Sequence, residues 1–295
     1  MVAAPINLLQ LVKLRARLQR NMASIGHIQG VGIGLRSNHY DYVLEHKPPV
    51  PWFEILTDNY LITQSIALDK LDSIRLDYPF VMHGIGLSIG SVDPLNQTYL
   101  ANVKTLIKRY QPAWVSDHLC WSSVQGCYSN ELLPLPYTQE ALKHIIARVQ
   151  QVQEFYGHTL LLENISSYIE FKHSEMPEWE FLNLLSKATG CGILLDINNI
   201  YVNSVNHHFT ASDYLHQLNK NSIIQTHMAG YHQVTDDLLI DTHGSHVTDP
   251  VLNLYQQAIQ LYGQKPTLLE WDTDVPAFPV LLQEAKTIEK WGRNL

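Results

Sequence analysis

The chain has 295 residues, of which 45% are hydrophobic, and this content is enough for a large buried core and argues against disorder. Its formal charge of −8 and the absence of a Lys/Arg-rich run argue against a nucleic-acid-binding surface. The cysteines Cys120, Cys127 and Cys191 form no Cys-x-x-Cys pair, which argues against a disulfide framework or thiolate zinc site and predicts a reduced, cytoplasmic protein.

The N-terminal segment has no sign of an export signal or membrane anchor. In residues 1–20 the apolar segment precedes the basic residues, which is the reverse of the order in a secretory signal. No apolar run in the chain approaches the roughly 18 residues that a membrane span requires. We therefore expect residues 1–28 to form an N-terminal extension or short helix and residues 29–295 to form a single domain that contacts no membrane.

Short apolar runs recur along the rest of the chain, with amphipathic, helix-like segments between them. Runs this short and this apolar are typical of strands that are buried on both faces, as in a parallel sheet. The predicted strands are 30–35, 52–56, 79–84, 113–118, 159–164, 191–197, 223–230 and 267–271.

Local signals predict where several of the intervening helices begin and end. Asp93 and Asp249, each followed by proline, predict helix N-caps. Gly157 and Gly263 predict the C-terminal ends of two helices. The proline-rich segment 126–138 either lines a substrate channel or simply links the fourth strand to its helix.

Eight strand–helix repeats without a compositional break predict one (β/α)₈ TIM barrel. An open doubly wound sheet would also alternate strands and helices, so the strand count decides between the two. The glycines Gly30, Gly32 and Gly34 lack the further spacing of a dinucleotide-binding fingerprint. We interpret them as positions of close packing.

Polar side chains follow the apolar part of successive strands. In a barrel the C-terminal strand ends converge on one mouth, where catalytic groups lie. A single such residue more often caps a helix or satisfies loop donors, but carboxylates crowded into one cleft repel one another unless a cation binds. The strand-end residues are Glu54, His83, Asp117, His118, Glu163, Asp196, His227 and Glu270, and Asp241 and His243 follow the seventh strand.

These residues predict a metal site with more than one ion. A catalytic metal takes about three protein ligands, so the eight candidates are too many for one ion and indicate two or three ions that share carboxylates. A mixture of imidazole and carboxylate suits Fe, Mn or Zn, and the residues alone do not choose among them. Asn164, Asn198 and Asn199 are either groups that orient the ligands or turn residues. The eight are His83, His118, Glu163, Asp196, His227, Asp241, His243 and Glu270.

The motifs around these positions resemble one family over residues 30–284. In chain order they read GVGIGLR, HGIGLSIGS, SDHLCW, LLENISSY, LLDINNIYVN, HMAGY, LIDTHG and LLEWD. Together they are similar to the DUF692 (UPF0276) family of multinuclear non-haem iron-dependent oxidases. The bufferin-type branch, which makes copper-binding peptides, is the subgroup that the chain resembles most.

The resemblance implies a TIM barrel with two or three iron ions of mixed Fe(II)/Fe(III) valence, with Zn or Mn as alternatives in the isolated protein. It implies that O₂ is used to oxidise cysteines of a ribosomally made precursor peptide to oxazolone/thioamide or thiooxazole-type groups. It also implies a companion protein that recognises the peptide leader. Matched motif by motif, it assigns the eight residues above as ligands and lets Asn199 share or replace the role of Asp196.

Two positions depart from the family pattern. Asp58 stands where the family usually has Glu, and His246 stands where proline is common.

Two further strand-end residues are candidates for proton transfer. Glu54 and Asp117 are the residues that we expect to move protons.

Two other functions compete with the oxidase. One is a metal-dependent hydrolase or isomerase of the endonuclease IV or xylose isomerase type, in which a metal-bound water or alkoxide reacts. The other is a non-enzymatic metal-binding module, against which the open mouth argues because structural metal sites tend to be closed.

Overall fold

The computed structural model describes residues 28–61 and 66–293. Eight parallel strands close into a barrel in the order β1-β12-β9-β8-β7-β4-β3-β2, which confirms the predicted TIM barrel and all eight predicted strands. The predicted extension 1–28 lies outside the described residues except for Ile28. The barrel strands are β1 (Val31–Leu35), β2 (Phe53–Leu56), β3 (Phe80–His83), β4 (Val115–His118), β7 (Leu160–Glu163), β8 (Gly192–Asp196), β9 (Ile223–Met228) and β12 (Thr267–Leu269).

Helices follow the barrel strands and surround them. Two short 3₁₀ segments, Ser37–His39 and Thr57–Tyr60, come directly after β1 and β2. None of the helices in the described ranges combines the length and the apolar character needed to cross a bilayer. The helices are α1 (Tyr40–His46), α2 (Ile66–Arg75), α3 (Gln97–Tyr110), α4 (Gln139–Tyr156), α5 (Glu178–Thr189), α6 (Ile197–Asn206), α7 (Ala211–Gln217), α8 (Asp249–Tyr262) and α9 (Phe278–Arg293).

Two hairpins extend the loops at the C-terminal mouth of the barrel. After β4, strands β5 (Trp121–Val124) and β6 (Cys127–Leu133) pair antiparallel. After β9, strands β10 (His232–Thr235) and β11 (Leu238–Ile240) do the same. The proline-rich segment 126–138 is therefore largely a hairpin strand, which its composition did not indicate.

The predicted helix ends are correct and the predicted starts are wrong by one to three residues. Gly157 and Gly263 are the C-caps of α4 and α8, and Gly157 has the left-handed φ of 71° that glycine adopts without strain. The N-cap of α3 is Asn96, whose Oδ1 accepts a hydrogen bond from the Tyr99 backbone N–H at 3.1 Å. Asp93 is therefore not the cap, because a side chain that caps a helix must reach the N–H groups of its first turn.

The start of α8 is displaced by one residue from the prediction. Thr248 is the N-cap residue, and Asp249 is the first helical residue. Proline lies in the first turn of this helix, where its missing N–H removes no helical hydrogen bond. The carboxylate of Asp249 is placed to interact with the positive end of the helix dipole instead of serving as the cap.

Alternation along each strand separates two apolar cores. On β1 and β2, Ile33 and Ile55 belong to the main core between the barrel and its helices. The other strand face points into the barrel, where Trp52, Val81 and Leu268 fill the end away from the mouth. Polar side chains form the layers above them, so the barrel interior changes from apolar to charged towards the mouth.

Gly32 is needed because Trp52 occupies the space beside it. A Cβ at Gly32 would lie 2.4 Å from the indole ring, and Trp52 is fully buried. We expect Gly32→Ala to lower the free energy of unfolding by about 1–3 kcal/mol, the usual range for overpacking a core. Gly292→Ala is the matched control, since its nearest neighbour would be the flexible end of Ile259 at 3.3 Å, with Tyr255 in ordinary contact at 3.5 Å. Denaturant unfolding of both variants measures the difference, and equal stability of the two would contradict the packing role.

Candidate metal centre

Three groups of side chains that could hold a metal ion lie together at the barrel mouth and share two carboxylates. In each group the potential ligand atoms all lie within 4.8 Å of one another. Glu163 belongs to the first and second groups, and Glu270 belongs to the second and third. The groups are His83, His118 and Glu163; Glu163, Asp196, His227 and Glu270; and His243, Glu270 and Asp272.

The first group places two imidazoles against one oxygen of Glu163. His83 Nε2 lies 3.2 Å and His118 Nε2 lies 3.4 Å from Glu163 Oε2. The two Nε2 atoms are 3.3 Å apart. Ser116 Oγ lies 2.8 Å from His83 Nδ1, so the hydroxyl fixes the ring with Nε2 towards the group. Two imidazoles and one carboxylate form the donor set that non-haem iron uses.

The second group surrounds Nδ1 of His227 with carboxylates. This atom lies 3.0 Å from Glu270 Oε2, 3.4 Å from Glu163 Oε1 and 4.0 Å from Asp196 Oδ2. All four side chains are buried. The second group is therefore the most enclosed and the most acidic of the three.

The third group lies nearer to solvent. His243 Nδ1 is 3.4 Å from Glu270 Oε2 and 3.3 Å from Asp272 Oδ2. The Asp272 side chain is 39% exposed, whereas that of Glu270 is 6% exposed. An ion in this group would keep contact with water and with any molecule that enters the mouth.

Several atoms of these groups are buried without a hydrogen-bond partner, which is the arrangement expected of metal ligands. Buried polar atoms are almost always paired, so a cluster of unpaired ones needs an explanation. Because the unpaired atoms of Glu163, Asp196 and His227 face one another and are lone-pair donors, these residues fit bound cations. They are Glu163 Oε2, Asp196 Oδ2 and His227 Nδ1, whereas the unpaired Nδ1 of His118 lies on the side of its ring away from the first group.

The electrostatics of the bare groups lead to the same conclusion. Burial raises the pKa of Asp196 well above its usual value, and the nearby Glu163 raises it further. Burial would also raise the pKa of Glu163, but His227, His118 and His83 outweigh it and bring the pKa to about 2. Burial lowers the pKa of His118 to about 4, which keeps its imidazole neutral and able to bind a metal.

The end of β8 is fixed by hydrogen bonds that leave one Asp196 oxygen free. Asp196 Oδ1 accepts from the Asn199 backbone N–H at 2.7 Å and so caps α6. The Asn164 side chain accepts from Asp196 N at 2.9 Å and donates to Asp196 O at 3.0 Å. These contacts direct Asp196 Oδ2 into the second group, so Asn164 orients a ligand.

Glu54 lies beneath the metal groups, inside the barrel. Its Oε2 is 3.2 Å from His227 Nε2, and it accepts a hydrogen bond from Gln225 Nε2 at 2.9 Å. Glu54 therefore holds the nitrogen of His227 that faces away from the second group. This is the common arrangement of a carboxylate behind a metal-binding histidine.

Asp117 is on the opposite face of its strand from His118. Consecutive residues of a strand point to opposite faces, so only one of the two enters the barrel mouth. Asp117 Oδ2 accepts hydrogen bonds from Leu87 N at 3.3 Å and Tyr99 Oη at 3.4 Å, towards the helix layer. Burial, with the nearby Asp58, raises its pKa to about 7. The structure thus places Asp117 outside the metal groups.

Asp241 and Asn199 lie at the rim of the cavity but outside the three groups. Asp241 Oδ1 is 2.7 Å from His243 Nε2 and accepts from Asn198 Nδ2 at 2.8 Å, and its Oδ2 accepts from Ser166 Oγ at 2.8 Å. Asp241 therefore orients the His243 ring in this arrangement. The free Oδ1 of Asn199 keeps this residue available as the predicted additional ligand.

Sequence reasoning missed Asp272 of the third group and Arg36, which pairs with it. Asp272 follows Glu270 at the period-two spacing of a strand, and this spacing was the available signal. Arg36 donates a hydrogen bond from Nη2 to Asp272 Oδ1, and Nη2 lies 3.8 Å from Glu270 Oε1. Arg36 is the only lysine or arginine among the described residues that line the metal cavity.

The mouth holds an open cavity of about 470 Å³ above the three groups. Its walls include Leu56, Ile85 and Leu132 as well as the polar residues above. His246, by contrast, turns away to Glu284, whose Oε2 lies 2.7 Å from its Nδ1. The cavity is large enough for a peptide side chain and a small gas molecule together.

We expect Glu163→Gln to remove more metal than His118→Ala. Glu163 contributes to two groups, whereas His118 contributes to one. Affinity should fall by more than about 100-fold in both groups that contain Glu163, because changes of outer hydrogen-bond partners alone cost 10- to 100-fold. Metal analysis after dialysis measures the number of ions, and circular dichroism checks the fold. Full metal occupancy in folded Glu163→Gln protein would remove Glu163 from the ligand set.

We expect Arg36→Gln to tighten binding at the third group by at least about tenfold, because the guanidinium repels a cation there. Arg36→Lys should change the affinity less, since it retains the charge. Arg109→Gln is the control, because Arg109 pairs with the exposed Asp72 far from the cavity. Anaerobic titration with Mn²⁺, followed by the number and affinity of bound ions, gives the result. Weaker binding in Arg36→Gln would show that Arg36 orients Asp272 instead.

Solved structures with the same architecture include epimerases and endonuclease IV. Endonuclease IV from Thermus thermophilus superimposes with a TM-score of 0.55, 13% identity and coverage of 89% of this chain and 98% of that one. A D-psicose 3-epimerase also gives a TM-score of 0.55 at 9% identity, with coverage of 90% and 96%. At these identities the likeness establishes the fold alone.

Sequence comparison is more specific. A UPF0276 protein of Acaryochloris marina is 49% identical over 270 residues, which are 92% of this chain and 97% of that protein. A UPF0276 protein of Anaeromyxobacter sp. is 46% identical over 265 residues, or 90% and 93% of the two chains. The family model for "RiPP precursor modification enzyme MbnB/TglH/ChrH" matches residues 30–293. The chain therefore belongs to the MbnB/TglH/ChrH family of RiPP precursor modification enzymes, and these relatives carry the name UPF0276.

Proposed function

We propose that this protein is an iron- and O₂-dependent oxidase that modifies cysteine residues of a ribosomally made precursor peptide. The observation that carries the proposal is the set of three groups joined by Glu163 and Glu270 beneath an open cavity. Carboxylates shared between groups would hold cations close enough to act on one substrate. The family description, which names precursor modification, supports a peptide as that substrate.

The donor set supports iron as the metal. The three groups contain imidazole and carboxylate and no thiolate, which favours Fe, Mn or Zn. The first group has the two-histidine, one-carboxylate composition of oxygen-activating iron sites. When bound, iron would supply the electrons that reduce O₂ and a Lewis acid for the substrate thiolate. The mixed valence and the companion leader-binding protein that the resemblance implies stay predictions.

The protein itself contributes placement and charge. Ser116 and Glu54 hold the outer nitrogens of His83 and His227, so both rings keep one orientation. Glu54 also keeps a proton acceptor next to His227 Nε2, which fits the expected role in proton movement. Asp117 lies behind the strand and does not line the cavity, so it is not placed to exchange a proton directly with a molecule there.

A metal-dependent hydrolase or isomerase is the second candidate function because the fold is shared with endonuclease IV and a D-psicose 3-epimerase. It requires a metal that activates water or an alkoxide without oxygen consumption. A chain with a formal charge of −8 and one cationic side chain in the cavity lining described here offers little to a polyanionic nucleic acid.

Anaerobic purification, iron loading and addition of O₂ with a cysteine-containing precursor peptide test the proposal. We expect peptide-dependent O₂ consumption and a mass change located at cysteine by fragmentation. The same peptide with serine in place of cysteine, and the Zn²⁺-loaded protein, should both give no reaction. Conversion of the peptide by Zn²⁺- or Mn²⁺-loaded protein without O₂ would contradict the oxidase and would favour a hydrolase or isomerase.

A further inference from the structure

A second cavity of about 430 Å³ adjoins the metal cavity. Ile85 and Leu132 line both, so the two cavities meet at a rim formed by these side chains. We call the second cavity the flanking groove. A molecule with its reactive group in the metal cavity can extend over this rim into the groove.

The groove lies between the β5–β6 hairpin and the loop that follows β3. On β6, Tyr128 and residues 130–132 line the groove. Asn130 has a left-handed φ of 56°, which interrupts the strand alternation, so adjacent residues line the same groove. Ile85 and Gly86 form the facing wall. Tyr128 is 61% exposed and Ile85 is 39% exposed, so the groove presents uncovered apolar surface beside the metal centre.

The charge of the groove is negative. Asp58 and Glu131 line it, and no Lys or Arg is among the described residues of its lining. Asp58 is held in place, since its Oδ2 accepts from the Ile85 N–H at 2.8 Å and from Tyr99 Oη at 3.3 Å. The missing Cβ of Gly86 makes room for it, because a Cβ there would lie 2.6 Å from Asp58 Oδ1.

A peptidyl cysteine has a chain on both sides, so its neighbours must cross the rim when its thiol reaches the metal cavity. Extended residues advance about 3.3 Å each, and the adjoining groove lies within reach of the next few. A carboxylate pair beside an exposed tyrosine ring favours a cationic side chain, through ion pairing and cation–π contact.

We propose that the flanking groove binds the peptide segment next to the reacting cysteine and selects a Lys or Arg side chain there. The inference rests on the proposed function, because it takes a peptidyl cysteine as the molecule in the metal cavity. It adds a specificity-determining site formed by Asp58, Glu131 and Tyr128.

The test uses the full-length protein loaded with Co²⁺, whose thiolate complexes absorb in the near ultraviolet, under anaerobic conditions. The probes are short synthetic peptides with one central cysteine in an alanine–glycine chain. One Lys, Glu or Gln is moved through the positions up to about four residues on either side of the cysteine. The absorbance reports entry of the thiol into the metal cavity, and its titration gives Kd without turnover.

We expect Lys at one position on one side of the cysteine to bind about fivefold more tightly than Gln, and Glu more weakly than Gln. Glu131→Lys should reverse the order of the Lys and Glu peptides, and Asp58→Asn should reduce the Lys preference. Asp236→Lys is the matched control, because Asp236 is an exposed acid on the other hairpin and outside the groove. Added salt should weaken the preference.

The outcomes separate the two proposals. Equal Kd values for the Lys, Gln and Glu peptides, or a Lys preference that Glu131→Lys and Asp58→Asn leave unchanged, would overturn the inference and leave the proposed function standing. A thiolate signal absent with every cysteine peptide would overturn the proposed function and the inference with it.

Discussion

The structure depends on one constraint, which is that carboxylates and imidazoles buried at one end of a closed barrel must be neutralised there. Ionised groups buried without partners cost far more than the net stability of a domain allows, so they take protons or bind a cation. In the bare centre His227 is pulled towards protonation by Glu54, Glu270 and Glu163, which outweigh its burial, and Asp196 is pushed the same way by burial and Glu163. Cations bound through Glu163 and Glu270 would replace those protons and would account for the unpaired atoms that face one another.

The barrel builds this centre in layers. Strand alternation fills the far end of the interior with Trp52, Val81 and Leu268, then places Glu54 and Gln225 in a polar layer, and finally brings the metal groups to the mouth. The polar layer serves the metal layer directly, because Glu54 and Gln225 both contact His227 Nε2. The hairpins extend the loops above the mouth, and the flanking groove beside β6 is one consequence of that placement.

The proximity of several candidate ligands could be predicted because the geometry of a parallel barrel is regular. The C-terminal ends of its strands meet at one mouth, so His83, Glu163, His227 and Glu270 had to lie close together once eight strands were recognised. The same regularity could have excluded Asp117, since it and His118 are consecutive and point to opposite faces. It could have added Asp272, two residues beyond Glu270. Helix starts were less predictable, because Asn96 competes with Asp93 as a cap and only the local backbone decides which side chain reaches the first turn.

The sequence by itself determined the barrel and a cluster of imidazole and carboxylate side chains at its mouth, because apolar periodicity and residue chemistry are local properties. The tertiary structure decided how those candidate ligands divide. It made Glu163 and Glu270 the shared carboxylates, turned Asp241 towards His243, and brought Arg36 from the first strand against Asp272 beyond the last. Such contacts join residues separated by up to 236 positions, and their distances follow from strand register and loop conformation, which no pattern of neighbouring residues encodes.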